Sequence, residues 1–118
     1  MAPVEKEILR LFEEGDVKAM NLLYDNYSDA LYGIILRMVG DEAIASDVLQ
    51  ESFVKIWKNS LSYDPAKGRL FTWLVRIVKN KSIDAIRKSG RKEEIQSELK
   101  IVHKNDRSDT SDPALQHD

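Results

Sequence analysis

Apolar residues in this chain recur three and four positions apart rather than two, so the backbone is committed to helices whose apolar stripes must be buried against one another. A first helix carries Val4, Ile8, Leu11 and Phe12 on one side and stops near Gly15. Asp16 can cap a long second helix, because its carboxylate can accept from the free amides of a first turn. At about 100° per residue, Val17, Met20, Leu23, Tyr24, Tyr27, Leu31, Ile34, Ile35 and Met38 form its core stripe. Gly40 suits the residue just past a helix end and Asp41 an N-cap, so a third helix runs from there to about Asn59, with Ala45, Leu49, Phe53 and Ile56 inward and Trp57 at the margin. Asp64-Pro65 and Gly68 then punctuate a loop. A fourth helix spans about Arg69 to Ser89, with Arg87 and Lys88 complementing its dipole and Gly90 just beyond. The expectation is an all-α bundle of about four helices.

With 118 residues, 42% of them apolar, one core and one domain are expected. There is no cysteine, which excludes a disulfide framework, an iron–sulfur cluster and a thiolate zinc site. His103 and His117 are too few and too far apart for a metal centre, so neither metal nor cofactor is expected. No apolar run approaches the roughly 20 residues of a membrane span and the start lacks a signal-peptide stretch, which points to the cytoplasm and no membrane insertion. From His103 onward the chain is too polar to order itself and reads as a linker or tail.

The near-neutral total hides a strong asymmetry. Residues 1–64 hold 6 basic and 12 acidic side chains, net −6, and residues 65–104 hold 11 and 4, net +7. Residues 105–118 hold 1 and 4, net −3. A basic block beside an acidic half is the kind of pattern that points to a polyanion partner.

Enzymatic chemistry has no support in the residues. No cysteine or well-held histidine can act as nucleophile or base, and the five glycines are scattered singly, without a phosphate-cradling motif. The fourth helix is more informative. Leu70, Phe71, Leu74, Ile77, Val78 and Ala85 share one side, while Arg69, Thr72, Arg76, Asn80 and Arg87 lie roughly opposite with Lys79 beside them. Arginine pairs with phosphate bidentately, asparagine offers a donor and an acceptor to a base edge, and Trp73 sits near the border where a ring can stack on a base. The loop residues Tyr63 and Lys67 feed into the same face. Basic residues interleaved with aromatics suit single-stranded or unstacked DNA better than a duplex major groove. The plain alternative makes Trp73 packing and the arginines solvated charge. On the third helix, Asp47, Gln50, Glu51, Val54 and Lys58 lie together away from the core, a strip that is either solvent-facing or a protein contact.

Two strings carry a resemblance. Asp47-Val-Leu-Gln-Glu-Ser-Phe-Val-Lys-Ile-Trp57 and, after a short loop, Gly68-Arg-Leu-Phe-Thr-Trp-Leu-Val-Arg-Ile-Val-Lys-Asn-Lys-Ser-Ile-Asp-Ala-Ile-Arg87 closely resemble region 2 of bacterial RNA polymerase sigma factors of the sigma-70 family, in the extracytoplasmic-function (ECF) group. The resemblance covers about residues 5–92. It implies a helical domain that docks on the clamp helices of the beta-prime subunit of core RNA polymerase and melts the promoter minus-ten element through its non-template strand, to start transcription. An anti-sigma factor is a further implied partner. The string from Asp47 through Gln50 and Glu51 matches the polymerase-binding segment, Tyr63 to Gly68 match the loop that captures a flipped base, and Arg76, Asn80 and Arg87 match the DNA-facing helix. Phe71 and Trp73 match its aromatic signature, although Phe71 also falls on the core stripe and is assigned to packing.

The division expected is a region 2 domain over 1–92 and a flexible linker or tail over 93–118. Region 4, the family's second helical domain, is not expected in the residues after Gly90, so the chain is expected to be either a piece of a longer protein, the preferred reading, or a single-domain relative. A second function is an interaction module that binds polymerase or an anti-sigma factor without productive DNA contact. A duplex-binding helix-turn-helix is disfavoured, because a loop of about eight residues exceeds the 3 to 4 residue turn of that motif.

Overall fold

The computed structural model describes the backbone of residues 2–101 and the side chains of residues 2–90. Four helices, α1 (Pro3–Glu14), α2 (Lys18–Val39), α3 (Glu42–Lys58) and α4 (Leu70–Ile101), follow one another, with a single 3-10 turn at Ser60–Ser62 and no strand among the described residues. The fold is all-α. Helices α2, α3 and α4 each pack on the other two, while α1 lies against α2 and the 3-10 turn. No helix of the described residues is long and apolar enough to cross a membrane.

Local chemistry sets the helix boundaries. Pro3 occupies the first turn of α1, where its missing N–H is no loss. At the other end Gly15 turns left-handed (φ 67°), and the amides of Gly15 and Asp16 return to the carbonyls of Phe12 and Leu11 at 3.0 and 2.9 Å. Asp16 then accepts from the amide of Lys18 through Oδ1 (2.9 Å), and its carbonyl accepts from Ala19 (3.0 Å), which starts α2. Gly40 (φ 72°) ends α2 with its amide on the Leu36 carbonyl, and Asp41 Oδ1 immediately accepts from the Ile44 amide at 2.9 Å. The expected cap at Asp41 and the stops at Gly15 and Gly40 therefore stand, while the N-cap of α2 is Val17 and Asp16 acts from one residue earlier.

The core joins Ile8, Leu11 and Phe12 of α1 to Leu23, Leu31 and Ile35 of α2, Val48 and Ile56 of α3, and Leu70, Leu74 and Val78 of α4. Three expectations are corrected here. Val17, just before α2, and Tyr24 on it are 61% and 56% exposed, while Ala19 and Ser28 are buried. The helix is packed on several sides, against α1, α3 and α4, so small residues as well as large ones are buried on it. On α3 the buried line is Ala45, Val48, Ser52 and Ile56, whereas Leu49 and Phe53 are only half-buried. A helical wheel ranks Phe53 above Ser52 by hydropathy, but close approach ranks them by size. Phe53 packs at the edge instead, its ring 5.7 Å from that of Tyr24.

The third correction concerns α4. Phe71 is 40% exposed rather than a core residue and stacks on Tyr27, with ring centroids 6.1 Å apart. The helix also does not end at Ser89: it passes through Gly90, which lacks the positive φ of a stop, and continues to Ile101. Glycine accepts helical geometry at a cost of about 1 kcal/mol relative to alanine, which neighbouring turns can absorb. His103 and His117, and the part of the expected tail from residue 102 onward, lie outside the described residues.

Two substitutions test this packing by urea denaturation. Asp41→Ala should lower stability by about 1 kcal/mol through loss of the cap. Ser52→Ala should raise it by about 1 kcal/mol, because Ser52 Oγ is fully buried without a hydrogen-bond partner; an unchanged or lowered midpoint for that variant would mean that the hydroxyl is satisfied in solution.

Candidate functional site

Two polar stripes emerge on the sides of α3 and α4 that face away from the core. On α3, Asp47, Gln50, Glu51, Val54 and Lys58 are all exposed, and Val54 is an apolar residue 54% open to solvent in the middle of the stripe. On α4, Thr72, Arg76, Lys79, Asn80 and Arg87 are exposed, as are Lys67 and Arg69 just before the helix. Among the described residues the only ion pair on either stripe is Arg87 to Asp84, at 4.0 Å and well exposed, which holds the guanidinium weakly. Among the described residues the stripe on α4 is thus a row of cations with one weak ion pair, and that on α3 holds two acids and one base.

Tyr63 and Trp73 behave differently from the rest of the expected nucleic-acid face. Both are half-buried, their ring centroids 5.1 Å apart, and Trp73 also meets Phe12 edge-on at 6.4 Å. Trp73 therefore joins α1 to the loop, with part of its surface left toward solvent.

The loop between α3 and α4 is built by its own hydrogen bonds. The Asn59 carbonyl accepts from the amide and the hydroxyl of Ser62 at 2.9 and 2.7 Å. Asp64 Oδ1 accepts from the Ala66 amide and the Asp64 carbonyl from the Lys67 amide, both at 2.9 Å, an Asx turn of the kind Asp-Pro favours. The Tyr63 hydroxyl closes the loop by donating to the Gly68 carbonyl at 2.6 Å.

One residue of this region escapes a helical-wheel reading. Glu5, on α1, is 7% exposed, and its Oε2 accepts from the amide of Leu70, the first residue of α4, at 3.2 Å. It satisfies one of the orphan donors of that helix and places negative charge at the positive end of its dipole. The signal was present in the sequence: position 5 falls on the stripe of Ile8 and Phe12, so an acid stood where an apolar side chain belonged. Glu5 also lines an open cleft of about 490 Å³ with Pro65, Ala66, Lys67, Gly68 and Arg69.

Burial raises the phenols of Tyr27 and Tyr63 above the usual tyrosine range, and the nearby Glu5 carboxylate raises both further; Asp64 and then Tyr27 add to the effect at Tyr63. A raised native value keeps these hydroxyls protonated, so Tyr63 remains a donor to Gly68.

Comparison with known proteins places these features in context. Sigma-70 region 2 matches residues 23–92, a span that holds both stripes and the loop but not α1. The chain is 30% identical over 80 residues to the ECF RNA polymerase sigma factor SigK of Mycobacterium sp. (strain KMS), covering 68% of this chain and 42% of that protein. It is 28% identical over the same length to SigK of Mycolicibacterium vanbaalenii and of Mycobacterium tuberculosis (strain ATCC 25177 / H37Ra), covering 41% and 43% of those proteins. The chain thus spans about two fifths of the length of these curated relatives. No solved structure matches it.

The two shifted phenols give a pH signature. Their contribution to stability should be fully present below the unfolded tyrosine value of about 10 and be lost as pH rises through the higher native values, because there the unfolded chain has released protons the native one still holds. Tyrosinate absorbance should show two of the four tyrosines ionising late, and Tyr63→Phe and Tyr27→Phe should each remove one late step.

Proposed function

The chain belongs to the sigma-70 family, as an ECF-type region 2, and from that premise we propose that it is the part of a sigma factor that docks on core RNA polymerase and opens the promoter minus-ten element. In this reading Asp47, Gln50, Glu51, Val54 and Lys58 of α3 meet the clamp helices of the beta-prime subunit. Arg69, Thr72, Arg76, Lys79, Asn80 and Arg87, with Tyr63, Lys67 and Trp73, meet the non-template strand.

The observation that carries the proposal is the separation of charge: an acidic stripe with an exposed valine on α3, and a cationic stripe on α4 with one weak internal ion pair among the described residues. A protein partner and a polyanion can then be held at once by one small domain. Extruding a base from a duplex costs a few kcal/mol, and stacking of a base on an aromatic ring returns about 1 to 3 kcal/mol. Phosphate contacts from the α4 cations supply the rest, and they draw the opened strand along the helix. Val54 fits the polymerase side, since an apolar residue ringed by polar ones is the usual centre of a protein contact.

The direct test is a titration of core RNA polymerase at fixed salt. Wild-type protein should bind saturably, and Asp47→Lys with Glu51→Lys should weaken binding by at least about tenfold; equal binding by both would remove the docking assignment. On the nucleic-acid side, Arg76→Ala with Arg87→Ala should leave polymerase affinity unchanged and weaken single-strand binding by the complex. If each arginine contacts one phosphate, the logarithmic salt slope should fall by about 1.4. A variant that retains the wild-type slope would favour an interaction module without DNA contact.

A further inference from the structure

We infer that Glu5 is a specificity-determining residue of the loop: its second carboxylate oxygen accepts from the exocyclic amine of an unstacked base seated in the adjoining cleft, which favours amine-bearing bases over thymine. The inference rests on the nucleic-acid reading of the loop proposed above and adds to it a residue from α1, outside the span that matches sigma-70 region 2.

The argument begins with an under-used carboxylate. An ionised carboxylate offers about four acceptor sites, yet Glu5, 93% buried by its 7% exposure, receives one hydrogen bond, from Leu70 to Oε2. Among the described residues no donor reaches Oε1 and no cation pairs with Glu5. A largely buried acid with one oxygen unpaired among the described residues thus lines the cleft beside the loop.

The surroundings select the ligand. Lys67 and Arg69 are exposed on the cleft wall and suit a phosphate, while Gly68 and Ala66 leave the wall low enough for a flat ring. The cleft is open to solvent, so an unstacked base can enter it from outside. The Tyr63 hydroxyl is engaged with Gly68, so the wall is held in place before a base arrives. Cytosine, adenine and guanine each carry an amine that can donate to one carboxylate oxygen. Thymine offers only a ring N–H flanked by two carbonyls, which the carboxylate repels.

The test uses the whole chain bound to core RNA polymerase and fluorescent single strands differing at one position, scanned in turn. At one position adenine or cytosine should bind about tenfold tighter than thymine. Purine in place of adenine, or 2-pyrimidinone in place of cytosine, should lose that advantage, since each lacks only the amine. Glu5→Gln keeps an acceptor for Leu70 and should reduce the preference to within about twofold or invert it, its amide donating to a thymine carbonyl. Affinity for a strand with an abasic site at that position should be unchanged, which separates loss of base reading from loss of fold. Equal binding of adenine and purine at every position, or an unchanged preference in Glu5→Gln, overturns the role of Glu5 alone. Failure of the wild-type complex to bind any single strand overturns it together with the nucleic-acid assignment of the loop.

Discussion

The hydrogen bond from Leu70 to Glu5 closes a gap of 65 residues and fixes where α4 begins. The first turn of any helix has amides with no partner and a concentration of positive potential, and here that turn is reached by a loop and covered by α1. Without an acceptor from α1, the amide that opens α4 would have to turn to water instead. The carboxylate resolves this and joins three pieces of chain at one point: the first helix, the loop and the helix that carries the cations.

The remainder of the architecture follows from how closely the helices approach. Ala19, Ser28, Ala45, Ser52 and Ser82 are buried on the three central helices, and their small size lets those backbones come near one another. Larger apolar residues fill the flanks: Tyr27 under Phe71, Tyr24 against Phe53. With the inner sides of α3 and α4 committed to this core, their outer sides are free to differ in charge, which is the physical basis for assigning two different partners to one domain.

Features decided by a few adjacent residues were legible in the sequence. Gly15, Gly40 and the Asp41 cap act within one turn of chain, so their chemistry is complete in the local sequence. The exposed stripes on α3 and α4 were legible for a similar reason, because helical periodicity alone assigns a face. Tertiary packing decided the rest. Ser52 displaced Phe53 from the core because a hydropathy wheel contains no neighbouring helix, and Val17 and Tyr24 were over-read on the same ground. Gly90 has two lawful conformations, and only the one without a positive φ lets α4 go on. Glu5 was visible as an oddity on an apolar stripe, but its partner lies 65 residues away.

The unbroken course of α4 gives its cationic row a fixed metre. From Arg69, the residue before α4, to Arg87 is 18 positions, about five turns, so at 1.5 Å per residue the row is about 27 Å long. A stacked strand advances roughly 3.4 Å per phosphate and would pass about eight phosphates over that distance; an unstacked, stretched strand passes fewer. In the proposed reading the helix is a ruler laid beside the strand, and the spacing of its marks matches only certain degrees of stretch.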